Sequence, residues 1–136
     1  MEISAIIFFS YLSGSIPFGL ILTKLFSGKD IRSIGSGNIG ATNVLRAGNK
    51  YLAVATLFLD AIKGFIPAAL TQSFFPEYLL LSSLVVLLGH IFPIWLNFKG
   101  GKGVATYLGI LFAFSYGLVF LFIFVWIVVS LIFKYS

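Results

Sequence analysis

Gly35-Ser36-Gly37-Asn38-Ile39-Gly40 spells G-x-G-x-x-G, the spacing of a dinucleotide-binding turn, and whether it is one decides the fold. The fingerprint has physical meaning only with a strand before it and a βαβ unit after it. Here apolar runs of membrane-crossing length stand on both sides, at about 3–26 and 51–72. Asp60 falls at the customary distance downstream, but inside an apolar run where no ribose could meet it, and no Walker lysine follows these glycines. The match is a coincidence of spacing. The expected fold is an all-α integral membrane protein, a multi-span helix bundle.

Composition agrees. Hydrophobic residues make up 60% of the 136 residues and charged ones 10%, too apolar for a short soluble chain to stay dispersed. Without cysteine there are no disulfides, thiolate nucleophiles or cysteine metal sites. One histidine and four acids leave little with which to build a metal site. The net charge of +5 comes from residues flanking apolar runs rather than from a continuous basic stripe, which argues against nucleic acid.

Four apolar stretches stand out, at about 3–26, 51–72, 78–97 and 104–133. The first lacks a basic leading region, and Lys24 follows its apolar run, so it reads as a span rather than a cleaved signal. The last would be about 45 Å as one helix, longer than a bilayer core requires. A break at Phe114-Ser115-Tyr116-Gly117 would divide it, giving five crossings with a short fourth, and would return Lys134 to the basic side. Lys29, Arg32, Arg46 and Lys50 mark one loop as cytoplasmic, Lys99 and Lys102 another, and the 73–77 turn carries no basic residue. The positive-inside rule therefore places the N-terminus outside and both functional loops in the cytoplasm.

Within the first loop, Gly37 and Gly40 permit positive φ and close backbone approach. Residues from about Gly40 to Ala47 can form a short helix closed by Gly48, its free N–H groups directed toward Ser36 and Asn38 as an anion seat. Thr42 and Arg46, four apart, would share one face. A solvated turn with basic membrane anchors is the plainer alternative, but anchors do not need this density of glycine and asparagine. Lys99-Gly100-Gly101-Lys102-Gly103 again offers backbone donors beside two ammonium groups, and both loops could serve one strongly anionic site. Asp60 and Lys63 share a face inside the second span, either neutralising each other or positioning the loops. His90 reads as a hydrogen-bonded structural group or a base. Ser13-Gly14-Ser15-Ile16-Pro17 reads as close helix packing, and the phenylalanines with Trp95 and Trp126 as lipid-facing and interfacial bulk.

Cations and backbone donors at the membrane face suit a substrate that is part phosphate, part acyl chain. Acyl transfer from a phosphate-activated donor needs mainly positioning and charge stabilisation, because the leaving group is already good. The competing class is a small anion transporter or channel subunit, with the loops as its filter.

Ser13 to Gly19, Gly35 to Asn43 with Arg46, Leu59 to Gly64, and Gly89 to Pro93 continuing through Phe98 to Thr106 resemble the bacterial acyl-phosphate:glycerol-3-phosphate acyltransferases of the PlsY type. Four motifs in order, over essentially the whole chain, carry the resemblance. It implies one transmembrane acyltransferase domain over 1–136, in the bacterial inner membrane, acting early in phospholipid synthesis. The reaction implied is acylation of position 1 of glycerol 3-phosphate from acyl phosphate, giving lysophosphatidic acid and phosphate. Ser36 and Arg46 would serve the glycerol 3-phosphate site, and Gly100, Gly101 and Gly103 the acyl-phosphate site with Lys102 as its cation. With the residue-level reading, the candidate catalytic residues are Ser36, Arg46 and Lys102. The candidate substrate-binding residues are Gly35, Gly37, Asn38, Gly40, Thr42, Asn43, Lys99, Gly100, Gly101, Gly103 and His90. No metal or cofactor is implied. The expected partners are acyl phosphate, glycerol 3-phosphate and membrane lipid, with no nucleic acid, and the protein is expected to act as a monomer. The family has seven crossings and a third cytoplasmic motif, so the chain is expected to lack a C-terminal part.

Overall fold

The computed structural model describes residues 1–133, and among these every regular element is helical. The expected contribution of Lys134 lies outside the described residues. The first span is two helices, α1 (Glu2–Ser15) and α2 (Phe18–Ser27). After the first loop and its short α3 (Ala41–Arg46) come α4 (Lys50–Phe74) and α5 (Leu79–Ile91). The last apolar stretch divides at Ser115 into α6 (Val104–Phe114) and α7 (Tyr116–Phe133), where the sequence placed a break. Four segments are long and apolar enough to cross a membrane: 2–27, 50–74, 76–96 and 116–133. α6, expected as a short fourth crossing, has 11 residues and is about 16 Å long, less than a bilayer core is thick.

The helices approach through small residues, as expected where lipid removes the hydrophobic drive for association. A Cβ on Gly14 would strike the Val86 carbonyl of α5, one on Gly64 that of Thr106 in α6, and one on Gly109 that of Ala61 in α4. α4 lies against α6, and α1 against α5.

Two prolines interrupt the helical hydrogen bonding, and the freed carbonyls are taken by side chains. Pro67 has no N–H for the carbonyl of Lys63 one turn earlier, and Ser13 Oγ donates to that carbonyl instead, at 3.1 Å. Pro17 ends α1 with Ile16 extended (φ −66°, ψ 116°). The carbonyls of Ser15 and Ile16 then accept from Trp95 Nε1 (2.9 Å) and Lys63 Nζ (2.6 Å). This adds to two expectations. The Ser13–Pro17 break is more than close packing, and Trp95, though exposed, also clamps it through its ring N–H.

Candidate active site

The first loop is folded by one residue. Asn43 is 1% exposed, and its amide nitrogen donates to the carbonyls of Ile31 (3.0 Å), Ile34 (2.8 Å) and Asn38 (2.9 Å). Its Oδ1 accepts from the backbone N–H of Ser36 at 3.1 Å. Beneath it, Leu20, Ile31, Ile39, Val44 and Ala53 form a small apolar core. Gly35 (φ +55°) and Gly37 (φ +70°) make the turns that bring the backbone round to Asn43. Gly40 precedes α3, and Gly48 (φ +91°) follows it with its N–H on the Leu45 carbonyl, as the sequence suggested. The N–H groups of Ser36 and Gly40 are held by Asn43 and Asn38, and no side chain caps α3, whose first N–H groups were expected to seat the anion. Asn43 builds the site and makes its bonds within the loop; Gly35 and Gly37 lie outside the pocket.

On the exposed edge of this loop, Asp30 pairs with Arg32 Nη2 at 2.6 Å, with Lys24 3.6 Å away. The hydrogen bonds from Arg32 hold the Asp30 carboxyl well below its ordinary range and raise the guanidinium in turn.

The second loop is folded by its neighbour. Asn97 (φ 51°) and Phe98 (φ 62°) both take left-handed backbone and turn the chain back toward α5. The N–H of Gly100 donates to the Ile91 carbonyl (2.9 Å) and that of Gly101 to the His90 carbonyl (3.1 Å). They satisfy carbonyls that the end of a helix leaves open. This corrects the expectation that these glycines present free donors to an anion. A Cβ on Gly100 would meet the His90 carbonyl, and one on Gly101 the His90 ring, so both are glycine because α5 is so close. Lys99, Gly100 and Gly101 lie outside the pocket. The donors that remain are those at the start of α6, where Gly103 (φ +79°) turns the chain and no side chain caps the helix. Sequence reasoning missed these groups, because α6 begins beyond the glycines that drew attention.

Both loops open on one pocket of about 670 Å³. Its polar wall carries Ser36, Asn38, Thr42, Arg46 and Lys50 from the first loop and the start of α4. Lys102 and Gly103 bring the second loop to the same space, and Gly40 and Asp60 also line it. Its apolar wall is formed by Val54 and Leu57 of α4, Leu108 of α6, and Phe122, Ile123 and Trp126 of α7. Trp126 and Phe122, read from sequence as lipid-facing, line the pocket. Lys50 was noted only as a topology signal, and its place before the apolar run of α4 was the available clue.

Below this pocket lies a buried charged cluster. Asp60 Oδ1 is 2.8 Å from Lys63 Nζ, close enough for an ion pair though not aligned for a hydrogen bond, and both side chains are nearly inaccessible. His90 Nδ1 is 3.9 Å from Asp60 Oδ1 and 3.1 Å from Thr106 Oγ1, and His90 also touches the pocket. No cluster of metal-ligating side chains occurs among the described residues.

A family model described as glycerol-3-phosphate acyltransferase matches residues 4–136. A glycerol-3-phosphate acyltransferase of Pelagibacter ubique (strain HTCC1062) is 58% identical over all of this chain and 71% of its own length. Two crystal structures of PlsY (YgiH), an integral membrane glycerol 3-phosphate acyltransferase, are also similar. The glycerol 3-phosphate form superposes with a TM-score of 0.90 at 44% identity. The lysophosphatidic acid form gives 0.88 at 43%. Each alignment covers 96% of this chain and 66% of the solved one.

Proposed function

The chain belongs to the glycerol-3-phosphate acyltransferase family, and from that premise we propose that it transfers an acyl group from acyl phosphate to position 1 of glycerol 3-phosphate. The observation that carries this reading is the two-sided pocket. Ser36, Thr42, Arg46 and Lys102 offer hydrogen bonds and positive charge to phosphate groups, and the α4, α6 and α7 wall receives a hydrocarbon chain. The similar solved structures in glycerol 3-phosphate and lysophosphatidic acid forms support the acceptor and the product. The relatives reported above are acyltransferases, and none of them supports the anion-channel reading.

In the proposed reaction the C1 hydroxyl oxygen bonds to the acyl carbonyl carbon. The bond from that carbon to the phosphate oxygen breaks, its electron pair leaves with phosphate, and the hydroxyl proton goes to the same phosphate. Lysophosphatidic acid and inorganic phosphate result. Arg46 and Ser36 hold the acceptor phosphate. Lys102 and the first N–H groups of α6 neutralise charge growing on the leaving phosphate. Two bound substrates in fixed register account for most of the acceleration. Four apolar segments make this a multi-pass membrane protein. We place it in the bacterial inner membrane as a monomer, N-terminus outside, pocket facing the cytoplasm, with the exposed apolar helix faces against lipid.

The test is phosphate release by the protein in lipid vesicles. Release requires both acyl phosphate and glycerol 3-phosphate, and acyl-CoA in place of acyl phosphate gives none. Equal turnover with acyl-CoA overturns the donor, and glycerol phosphate flux without acylation overturns the enzyme reading.

A further inference from the structure

His90 makes four contacts that the proposed chemistry does not use, two of them with the second loop. Its carbonyl accepts the Gly101 N–H, and the Nε2 corner of its ring points at the Gly101 α-carbon, where no side chain could fit. Its Nδ1 shares a hydrogen bond with Thr106 Oγ1, in the first turn of α6. Its Nδ1 edge also faces the Asp60–Lys63 pair, whose ammonium reaches across to the Ile16 carbonyl at the break in the first span. A chain of polar contacts therefore runs from that break through α4 and α5 to the turn that carries Lys102. Simple charge neutralisation explains Asp60 and Lys63 but leaves the His90–Thr106 bond without a purpose.

We propose that His90 and Thr106 are positioning residues that hold the Lys99–Gly103 turn on the end of α5, and so set where Lys102 and the start of α6 stand in the pocket. This rests on the acyltransferase reading for its kinetic consequence. At the junction of the second loop with α6, Lys102 and Gly103 run directly into Val104, Ala105 and Leu108, and all five line the pocket. An acyl donor's phosphate occupies that junction, while Ser36, Thr42 and Arg46 belong to the other side. A displaced second loop thus weakens the donor's binding and spares the acceptor's.

Thr106→Val keeps the shape and removes the hydroxyl. The expected result is a rise in KM for acyl phosphate of about threefold to tenfold, the loss of one hydrogen bond. KM for glycerol 3-phosphate and kcat stay within about twofold by the same reasoning. Thr106→Ser restores the donor KM. His90→Asn, whose amide can occupy the place of Nδ1, retains most of the activity with an unchanged pH profile, whereas His90→Gln does not. The chain has no cysteine, so a nitroxide on Lys99→Cys reports the loop directly. Its spectrum is that of an ordered site in the parent and sharpens in Thr106→Val and His90→Gln. This spectrum does not depend on turnover: sharpening without donor-dependent catalysis in the parent sinks the acyltransferase reading and leaves the positioning intact. An unchanged spectrum and unchanged donor KM in Thr106→Val overturn the positioning role. A His90→Asn protein that is folded, inactive and altered in pH profile assigns His90 to proton transfer instead.

Discussion

The two loops reach one pocket by opposite means. The first closes on itself: Asn43 binds four backbone groups of its own loop over a small apolar core shared with Leu20 of α2 and Ala53 of α4. The second has no interior, and its donors are spent on the end of α5. A loop tied by its own buried side chain holds its internal shape on the helices it rests on. One moulded on a neighbour takes its shape from everything that positions that neighbour, including a charged cluster buried in the membrane span.

The difference can be broken first at that cluster. Lys63→Met leaves Asp60 buried without its cation and should cost about 3–5 kcal/mol of stability, followed by unfolding in denaturing detergent. Replacing both partners with apolar residues should recover much of it, and a double replacement as damaging as the single one would mean the pair does more than neutralise. Next in size, Asn43→Ala should cost about 2–3 kcal/mol by leaving loop carbonyls unmatched. Its damage should stay in the first loop, with KM for acyl phosphate the least affected constant. Gly101→Ala pushes a methyl group into the His90 ring and should cut donor-limited turnover about tenfold or more. Glycerol 3-phosphate affinity should hold, and equal losses for both substrates would erase the distinction between the loops. The smallest effect is at Asp30. Its folded-state carboxyl titrates below the ordinary value of 3.8, so the stability it adds is present above that pH and is lost as pH falls below it. Asp30→Asn should remove that acid dependence while leaving neutral-pH turnover unchanged, as the acid limb of a stability profile would show.

The same contrast explains what could be read from the chain alone. The helical membrane fold was legible because apolar runs and basic flanks are local signals, and Ser115 even marked the break before α7. Arg46 and Thr42 were legible because four-residue spacing on a short helix puts them on one face. The second loop misled because glycines signal either free donors or tight approach, and only the end of α5 decides which. Asn43 lines the pocket as a ligand residue would, but nothing local reveals that four backbone groups also converge on it. Trp126 and Phe122 were indistinguishable from lipid-facing bulk until α7 was placed beside α4 and α6.

The proposed reaction engages both loops in one pocket, which a double-mutant cycle on phosphate release can measure. Arg46→Ala and Lys102→Ala should each reduce kcat/KM by about a hundredfold or more. If the two cations serve one site, the double mutant falls far short of the product of the single losses, since groups acting as a unit are not additive. Losses that multiply cleanly would place Arg46 and Lys102 in independent sites and contradict the account.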